Sequence, residues 1–296
     1  LFAGAFLNLG EDHISPREHP TAEDYFRSKL KIFDHSKNAV VNLDSDRAPE
    51  VLAAAQRCDR VLTYSLDTPS ADLFAPRLTH GWEGSRFSVS YRGKEENFSI
   101  PLAGSFNVSN ALCALAVCEL LDIPAQAVRV GLERCVVPGR IETYTRDGKT
   151  VVVDYAHNGM ALEALLQEVR RGFPGASVTA VFGSVGDKAL DRREGMGKAA
   201  GKYADFTILT EDDPGGEDVG DICRQIGEYI AAAGGEFTII PDRETAVRTA
   251  IEKAQAPAVI VLAGKGAEQA QKRKNGPEPC VPDGLLAKKY LGLPLA

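Results

Sequence analysis

Residues 151–184 read VVVDYAHNGMALEALLQEVRRGFPGASVTAVFGS. The apolar run Val151 to Asp154 predicts a buried strand. Leu162, Leu165, Leu166 and Val169 then recur at helical spacing over Ala161 to Arg171, and Val178 to Phe182 is apolar again. A strand, a helix and a second strand with short connections predict parallel pairing through a crossover. The same alternation continues downstream. Glu194 to Ala204 reads as a helix, Phe206 to Thr210 as a strand and Val219 to Ala233 as a helix; Phe237 to Ile240, Glu244 to Ala254 and Ala258 to Ala263 complete the series. The expectation is a mostly parallel sheet covered on both faces, whose ligands gather beyond the C-terminal ends of its strands. Those ends carry Asp154, Gly183, Glu211 and Gly264, and Gln271 to Pro282 reads as an exposed loop.

Upstream, the break falls at Val137-Pro138-Gly139-Arg140, giving an expected division into residues 1–137 and 138–296. Strands are predicted at Gly4 to Leu9, Ala39 to Leu43 and Val61 to Tyr64. Helices are predicted at Thr21 to Phe33, with Thr21 as N-cap, and at Pro49 to Arg57. Arg86 to Tyr91 and Glu96 to Pro101 alternate around Arg92-Gly93-Lys94 as a hairpin, followed by helices over Val108 to Leu121 and Ala125 to Leu132. The fold class is therefore α/β in both parts. The 296 residues suit two domains of roughly 150 residues each. With 34 Lys and Arg against 41 Asp and Glu, the net charge of −7 gives no support to nucleic-acid binding. No apolar run reaches the ~20 residues of a membrane helix, and no signal peptide is visible, so a cytoplasmic protein is expected; the further expectation of a monomer has no sequence feature behind it. The six cysteines form no C-x-x-C pair; buried thiols are the expectation.

Polar clusters sit where strands end. Asn8, Glu11, Asp12 and His13, with Lys29 on the next helix, could hold a hard cation, or could be loop and helix-surface residues. Asn107 and Asn110 open an amphipathic helix; they could bond a planar heterocycle, or one could be the N-cap. Arg140 suits a phosphate and Asp154 a ribose, unless either is half of a salt bridge. Gly183 to Lys188, running on to Asp191-Arg192-Arg193, is glycine-rich but is not G-x-G-x-x-G. Thr210-Glu211-Asp212-Asp213-Pro214-Gly215 and Gly264-Lys265-Gly266-Ala267-Glu268 complete the set.

Taken in order, NLGEDH, SKLKIF, GSFNVSNALCALA, VPGRIE, VVVDYAH, FGSVGDK, TEDDP and AGKGAE resemble the Mur ligases, and within them the tripeptide synthetases of the MurE type. The resemblance implies the later part of a central ATPase domain followed by a Rossmann-like, mostly parallel C-terminal domain that receives an amino acid. It also implies an activity. ATP would phosphorylate the carboxylate of UDP-MurNAc-L-Ala-D-Glu, and the amine of a free amino acid would displace phosphate to form an amide. On this resemblance His13 and a carbamylated Lys29 would bind magnesium. Asn107 and Asn110 would hold adenine, Arg140 the ATP phosphates and Asp154 the ribose. Lys188, Arg192, Asp213, Gly264 and Glu268 would surround the amino acid or the phosphates.

Departures from the pattern carry information too. No G-x-x-x-x-G-K-[ST] occurs, so the resemblance implies a C-terminal part that does not ligate alone. Asn158-Gly159 replaces Thr-Pro, and the run between His13 and Lys29 contains Pro16 to Pro20. Diaminopimelate-adding enzymes carry Asp-Asn-Pro-Arg, whose Arg pairs with the distal carboxylate; here the motif is Asp212-Asp213-Pro214-Gly215. Losing that partner would cost about 2–3 kcal/mol. An acidic lip of Glu211, Asp212, Asp213, Glu217 and Asp218 would suit an ammonium, hence lysine or ornithine. A folylpolyglutamate-type ligase and a non-catalytic nucleotide-sugar or partner-binding module are the alternatives.

Overall fold

The computed structural model describes residues 1–10 and 19–295, in two compact units. In the first, β1 (Ala3–Phe6), β2 (Asn38–Asn42), β3 (Arg60–Ser65) and β4 (Leu73–Phe74) form a parallel sheet in that order. Helix α1 (Ala22–Leu30) starts at Thr21, whose hydroxyl accepts from the Asp24 amide at 3.1 Å, and a 3-10 turn, Lys31–His35, continues it. Together with α2 (Ala48–Ala55) it packs Phe26, Phe33 and Val51 on Phe6 and Val41. Val40, one residue earlier on the same strand, faces the other way, as the two-residue strand period requires.

An antiparallel sheet follows: β5 (Arg77–Gly81), β6 (Gly84–Tyr91) and β7 (Lys94–Ile100). Arg92 and Gly93, at φ 53° and 73°, make the tight turn between the last two, a backbone that matches strand twist. Helix α3 (Ser105–Leu120) lays Val108, Leu112 and Leu115 on a core shared by Val40, Tyr64 and Leu73 of the parallel sheet and Phe87, Val89 and Phe98 of the antiparallel one. Helix α4 (Ala125–Glu133) closes this unit. Two expectations change here. β1 ends at Phe6, short of Leu9, and the residue capping α3 is Gly104, not an asparagine.

The second unit is one six-stranded sheet in the order β12-β11-β10-β13-β9-β8. Its strands are β8 (Glu142–Arg146), β9 (Lys149–Asp154), β10 (Ser177–Phe182), β11 (Phe206–Leu209), β12 (Phe237–Ile239) and β13 (Ala258–Ala263). Every pairing is parallel except β8 with β9. Helices α5 (Gly159–Gly172), α6 (Asp191–Tyr203) and α7 (Val219–Ala232) pack side by side on one face. On the other, α8 (Arg243–Lys253) and α9 (Asp283–Leu291) bury Val247, Ile251, Leu286 and Leu291 against Val151, Val153, Ile208, Ile260 and Leu262. Because β13 enters between β9 and β10, the C-terminal ends of β11, β10, β13 and β9 lie side by side.

The stretch expected as an exposed loop is instead a hairpin, β14 (Ala270–Arg273) with β15 (Gly276–Pro279). It is anchored by Gln271, 5% exposed, whose amide donates to the Asp212 carbonyl at 2.5 Å. All six cysteines are free thiols. Among the described residues no helix is long and apolar enough to cross a membrane.

Candidate functional site

The ends of β9, β11 and β13 meet in one hydrogen-bonded chain of charges. Lys265, one residue past Gly264, is 2% exposed. Its ammonium donates to Asp213 Oδ1 at 2.8 Å, Glu268 Oε2 at 2.7 Å and the Ala270 carbonyl at 2.9 Å, so all three protons are used. Asp213 accepts further from the Lys272 amide at 3.0 Å, and its Oδ2 lies 3.2 Å from the Lys272 ammonium. Glu268 Oε1 accepts from the Tyr155 hydroxyl at 3.1 Å, and the exposed Arg140 guanidinium stands 4.8 Å over the Tyr155 ring. Burial pushes the Asp213 carboxyl up, yet the hydrogen bonds from Lys265 and Lys272 outweigh it and hold it below the usual aspartate value. Burial likewise lowers Lys265, and its two acid partners more than restore it.

Asp212 stands apart. It is 5% exposed, and burial pushes its pKa up to about 6 against the opposing pull of Arg243 and Lys265. The Lys265 ammonium lies 3.9 Å from its Oδ1. Gly264, at φ +101°, leaves room for it; a Cβ there would come within 2.5 Å of Asp212 Oδ2. Below this layer Arg243 makes a bidentate pair with Asp283, at 2.8 and 2.6 Å, and donates to the Ala263 and Glu211 carbonyls. One buried guanidinium thereby ties the ends of β13 and β11 to α9.

Asp154 is 7% exposed, and its two oxygens accept from the Ile141 amide at 3.0 Å and the Ala156 amide at 2.8 Å. Burial raises its pKa. Gly139 is buried against Gly266 and Ala267 at φ +72°, where any Cβ would overlap the Ala267 nitrogen. The Pro138-Gly139-Arg140 turn is thus pressed onto the turn that carries Lys265.

The network brings together Arg140, Asp154, Asp213, Gly264 and Glu268. Lys188 is exposed in the loop after β10, and Arg192, 7% exposed, lies in the first turn of α6. The acidic lip inferred from sequence needs correcting. Glu211 pairs with Arg273 at 2.6 Å, Glu217 with Arg193 at 2.8 Å, and Asp218 caps α7 by accepting from the Asp221 amide. Glu211 and Glu217 are thus matched by cations from other elements and Asp218 by a backbone amide, so these acids do not form a free negative field. Lys265 lay in view between two glycines at a strand end, yet sequence reasoning gave it no role. Tyr155 stood in the VVVDYAH motif without being given a role, and Lys272, Arg273 and Arg243 carried no local signal.

In the first unit Asn107 is buried and its amide donates to the Ala103 carbonyl at 2.8 Å, while Asn110 is exposed on α3. Lys29 lines a cavity of about 220 Å³ with Ala5, Phe6, Leu7, Asn8 and Ile32, its ammonium 4.8 Å over the Tyr25 ring. His13 lies outside the described residues. An ammonium repels a metal cation, and among the described residues no group of three or more His, Cys, Asp or Glu is placed to hold one. The described residues therefore do not form a magnesium shell by themselves.

Comparison with known proteins agrees with this architecture. The Mur ligase middle domain matches residues 1–118, and the Mur ligase glutamate ligase domain matches residues 139–266. The chain belongs to the Mur ligase family. It is 37% identical over 297 residues to the UDP-N-acetylmuramoyl-L-alanyl-D-glutamate--L-lysine ligase of Enterococcus faecalis, covering 97% of this chain and 58% of that one. It is 36% identical to the corresponding 2,6-diaminopimelate ligase of Caldanaerobacter subterraneus subsp. tengcongensis, covering 90% and 54%. A solved structure of a UDP-N-acetylmuramoyl-L-alanyl-D-glutamate--2,6-diaminopimelate ligase superposes with a TM-score of 0.58 at 31% identity, covering 98% of this chain and 60% of that one. The chain thus spans just over half the length of the relatives it matches.

Proposed function

We propose that this Mur ligase chain serves an ATP-dependent amide ligase that adds an amino acid with a cationic side chain, lysine, to UDP-MurNAc-L-Ala-D-Glu. The observation that carries the reading is Asp213. Its inner oxygen is fixed by buried Lys265, while its outer oxygen faces the ammonium of Lys272, a residue whose side chain is 72% exposed. Lys272 marks where a primary ammonium sits on this acid, and its own end of the pair is open to solvent. A substrate ammonium can take its place. Glu268, fixed by Lys265 and Tyr155, is the second acceptor. Arg140, exposed and braced on Tyr155, suits an ATP phosphate. Both oxygens of Asp154 already accept backbone amides, which favours a role in clasping Ile141 to β9 over ribose binding. His13 and Lys29 are assigned to magnesium on the family resemblance alone, and no step here is derived through the metal.

A second reading has its own observation. Gly215 forms a β-bridge with Arg273, so a guanidinium-bearing residue lies beside the position where diaminopimelate ligases carry arginine in sequence. The similarity to a diaminopimelate ligase supports it too. The test is ATP-dependent phosphate release by the protein as encoded, with UDP-MurNAc-L-Ala-D-Glu and, separately, lysine, ornithine and diaminopimelate. Turnover with lysine or ornithine well above diaminopimelate supports the first reading. A diaminopimelate preference refutes it in favour of Arg273, and no release with any of the three refutes both.

A further inference from the structure

The antiparallel sheet of the first unit has a face that the proposed ligation does not use. Its register puts Arg77 opposite Ser88, Thr79 opposite Arg86, Arg86 opposite Ser99 and Ser88 opposite Asn97. Side chains alternate between faces, so these six share one side, while Phe87, Val89, Phe98 and Ile100 fill the core on the other. They line a cavity of about 350 Å³, within the range of small-molecule sites. Arg77 and Arg86 are diagonal neighbours across β5 and β6, a spacing of roughly 7–8 Å that long side chains bridge. Two guanidiniums so placed repel each other unless an anion lies between them.

The carboxylate that approaches is Glu95 at the rim, 3.9 Å from Arg77, with both side chains mostly exposed. That pair leaves Arg86 without a hydrogen-bond or ion-pair partner among the described residues. Beside both arginines, opposite Arg77 and two residues along β6 from Arg86, lies Ser88, 4% exposed, whose hydroxyl has no hydrogen-bond partner among the described residues. A buried hydroxyl without a partner is uncommon and costs free energy. The fork of an arginine fits the oxygens of a phosphate or carboxylate, and a serine hydroxyl supplies a further donor.

We infer that this face is a second ligand site, for a small molecule bearing an oxyanion, held by Arg77 and Arg86 with Ser88 beneath. The test is isothermal titration calorimetry of the full chain with inorganic phosphate and, separately, with citrate, at ionic strength fixed by chloride. Saturable binding is expected with at least one of them. R77Q/R86Q weakens it tenfold or more, and S88A, melting as the parent does, weakens it threefold or more. R140A, altered at the site proposed for ATP, binds as the parent does. Phosphate binding alone identifies a phosphoryl ligand, citrate binding alone a carboxylate. Absence of saturable binding to either anion overturns the inference, as does binding that R77Q/R86Q leaves intact. Binding lost in R140A and kept in R77Q/R86Q overturns it as well, and assigns the anion to the other site.

Discussion

Replacing Asp212 by Asn should make the protein more stable at alkaline pH. The carboxyl is buried and titrates at about 6, against 3.8 for an unhindered aspartate. The folded state therefore binds the proton more tightly than the unfolded chain. Stability from this group is complete below pH 3.8 and falls as pH rises through about 6. At about 1.4 kcal/mol per pH step, the gap amounts to about 3 kcal/mol lost by pH 8, and roughly half of that at pH 5. Asparagine has the same shape and no charge to desolvate. D212N should accordingly exceed the parent by up to about 3 kcal/mol at pH 8, with the advantage shrinking to about half at pH 5. Urea unfolding at both pH values, with m unchanged, measures it. Carboxyls held low, such as Asp213 and Glu217, work in the opposite sense at more acid pH and cancel in the difference. A variant no more stable than the parent at pH 8, or an advantage that does not depend on pH, refutes the assignment of a destabilising buried charge to Asp212.

K265M should lose about 3 kcal/mol, because Asp213 and Glu268 keep their charges and lose a buried partner; thermal or urea unfolding reads this directly. K272A should lie within about 0.5 kcal/mol of the parent in stability, since its side chain is 72% exposed, while lowering KM for lysine threefold or more by removing the intramolecular competitor for Asp213. An unchanged or raised KM would mean that Lys272 is not a stand-in for substrate. R140A should cut turnover tenfold or more without a change in unfolding midpoint, given its exposed position and single aromatic contact; unchanged turnover removes Arg140 from the site.

The fold was legible wherever period and length agreed. β13 lies over Ala258 to Ala263 as its unbroken apolar run requires, and β9 and β10 differ from expectation by two residues and one at their starts. What escaped was structure without apolar periodicity. The β14–β15 hairpin is built from AQKR and GPEP, and nothing in those letters shows that Gln271 turns inward to satisfy the Asp212 carbonyl. β8 is an edge strand, ETYTR, whose alternation is mostly polar. Such elements exist because other parts of the chain need partners, and that need is invisible until the sheet order is known.

The same reasoning explains why the site was half legible. Strand ends gave the positions of Asp213, Gly264 and Glu268, because in a parallel sheet the C-terminal edge is where loops converge. Their partners were not legible, since most come from elsewhere in the chain: Lys265 lies 52 residues from Asp213, Arg273 lies 62 from Glu211, and Glu268, besides Lys265 three residues away, meets Tyr155 at 113. Counting acids in one loop therefore overstated the field. Net potential would attract any cation, including ones with no second acceptor to meet. On the proposed function, two carboxylates held at fixed positions by Lys265, one of them capped by an exposed lysine, would instead discriminate by where an ammonium sits. The selectivity for a diamino acid that we propose would follow from that geometry more readily than from a surplus of negative charge.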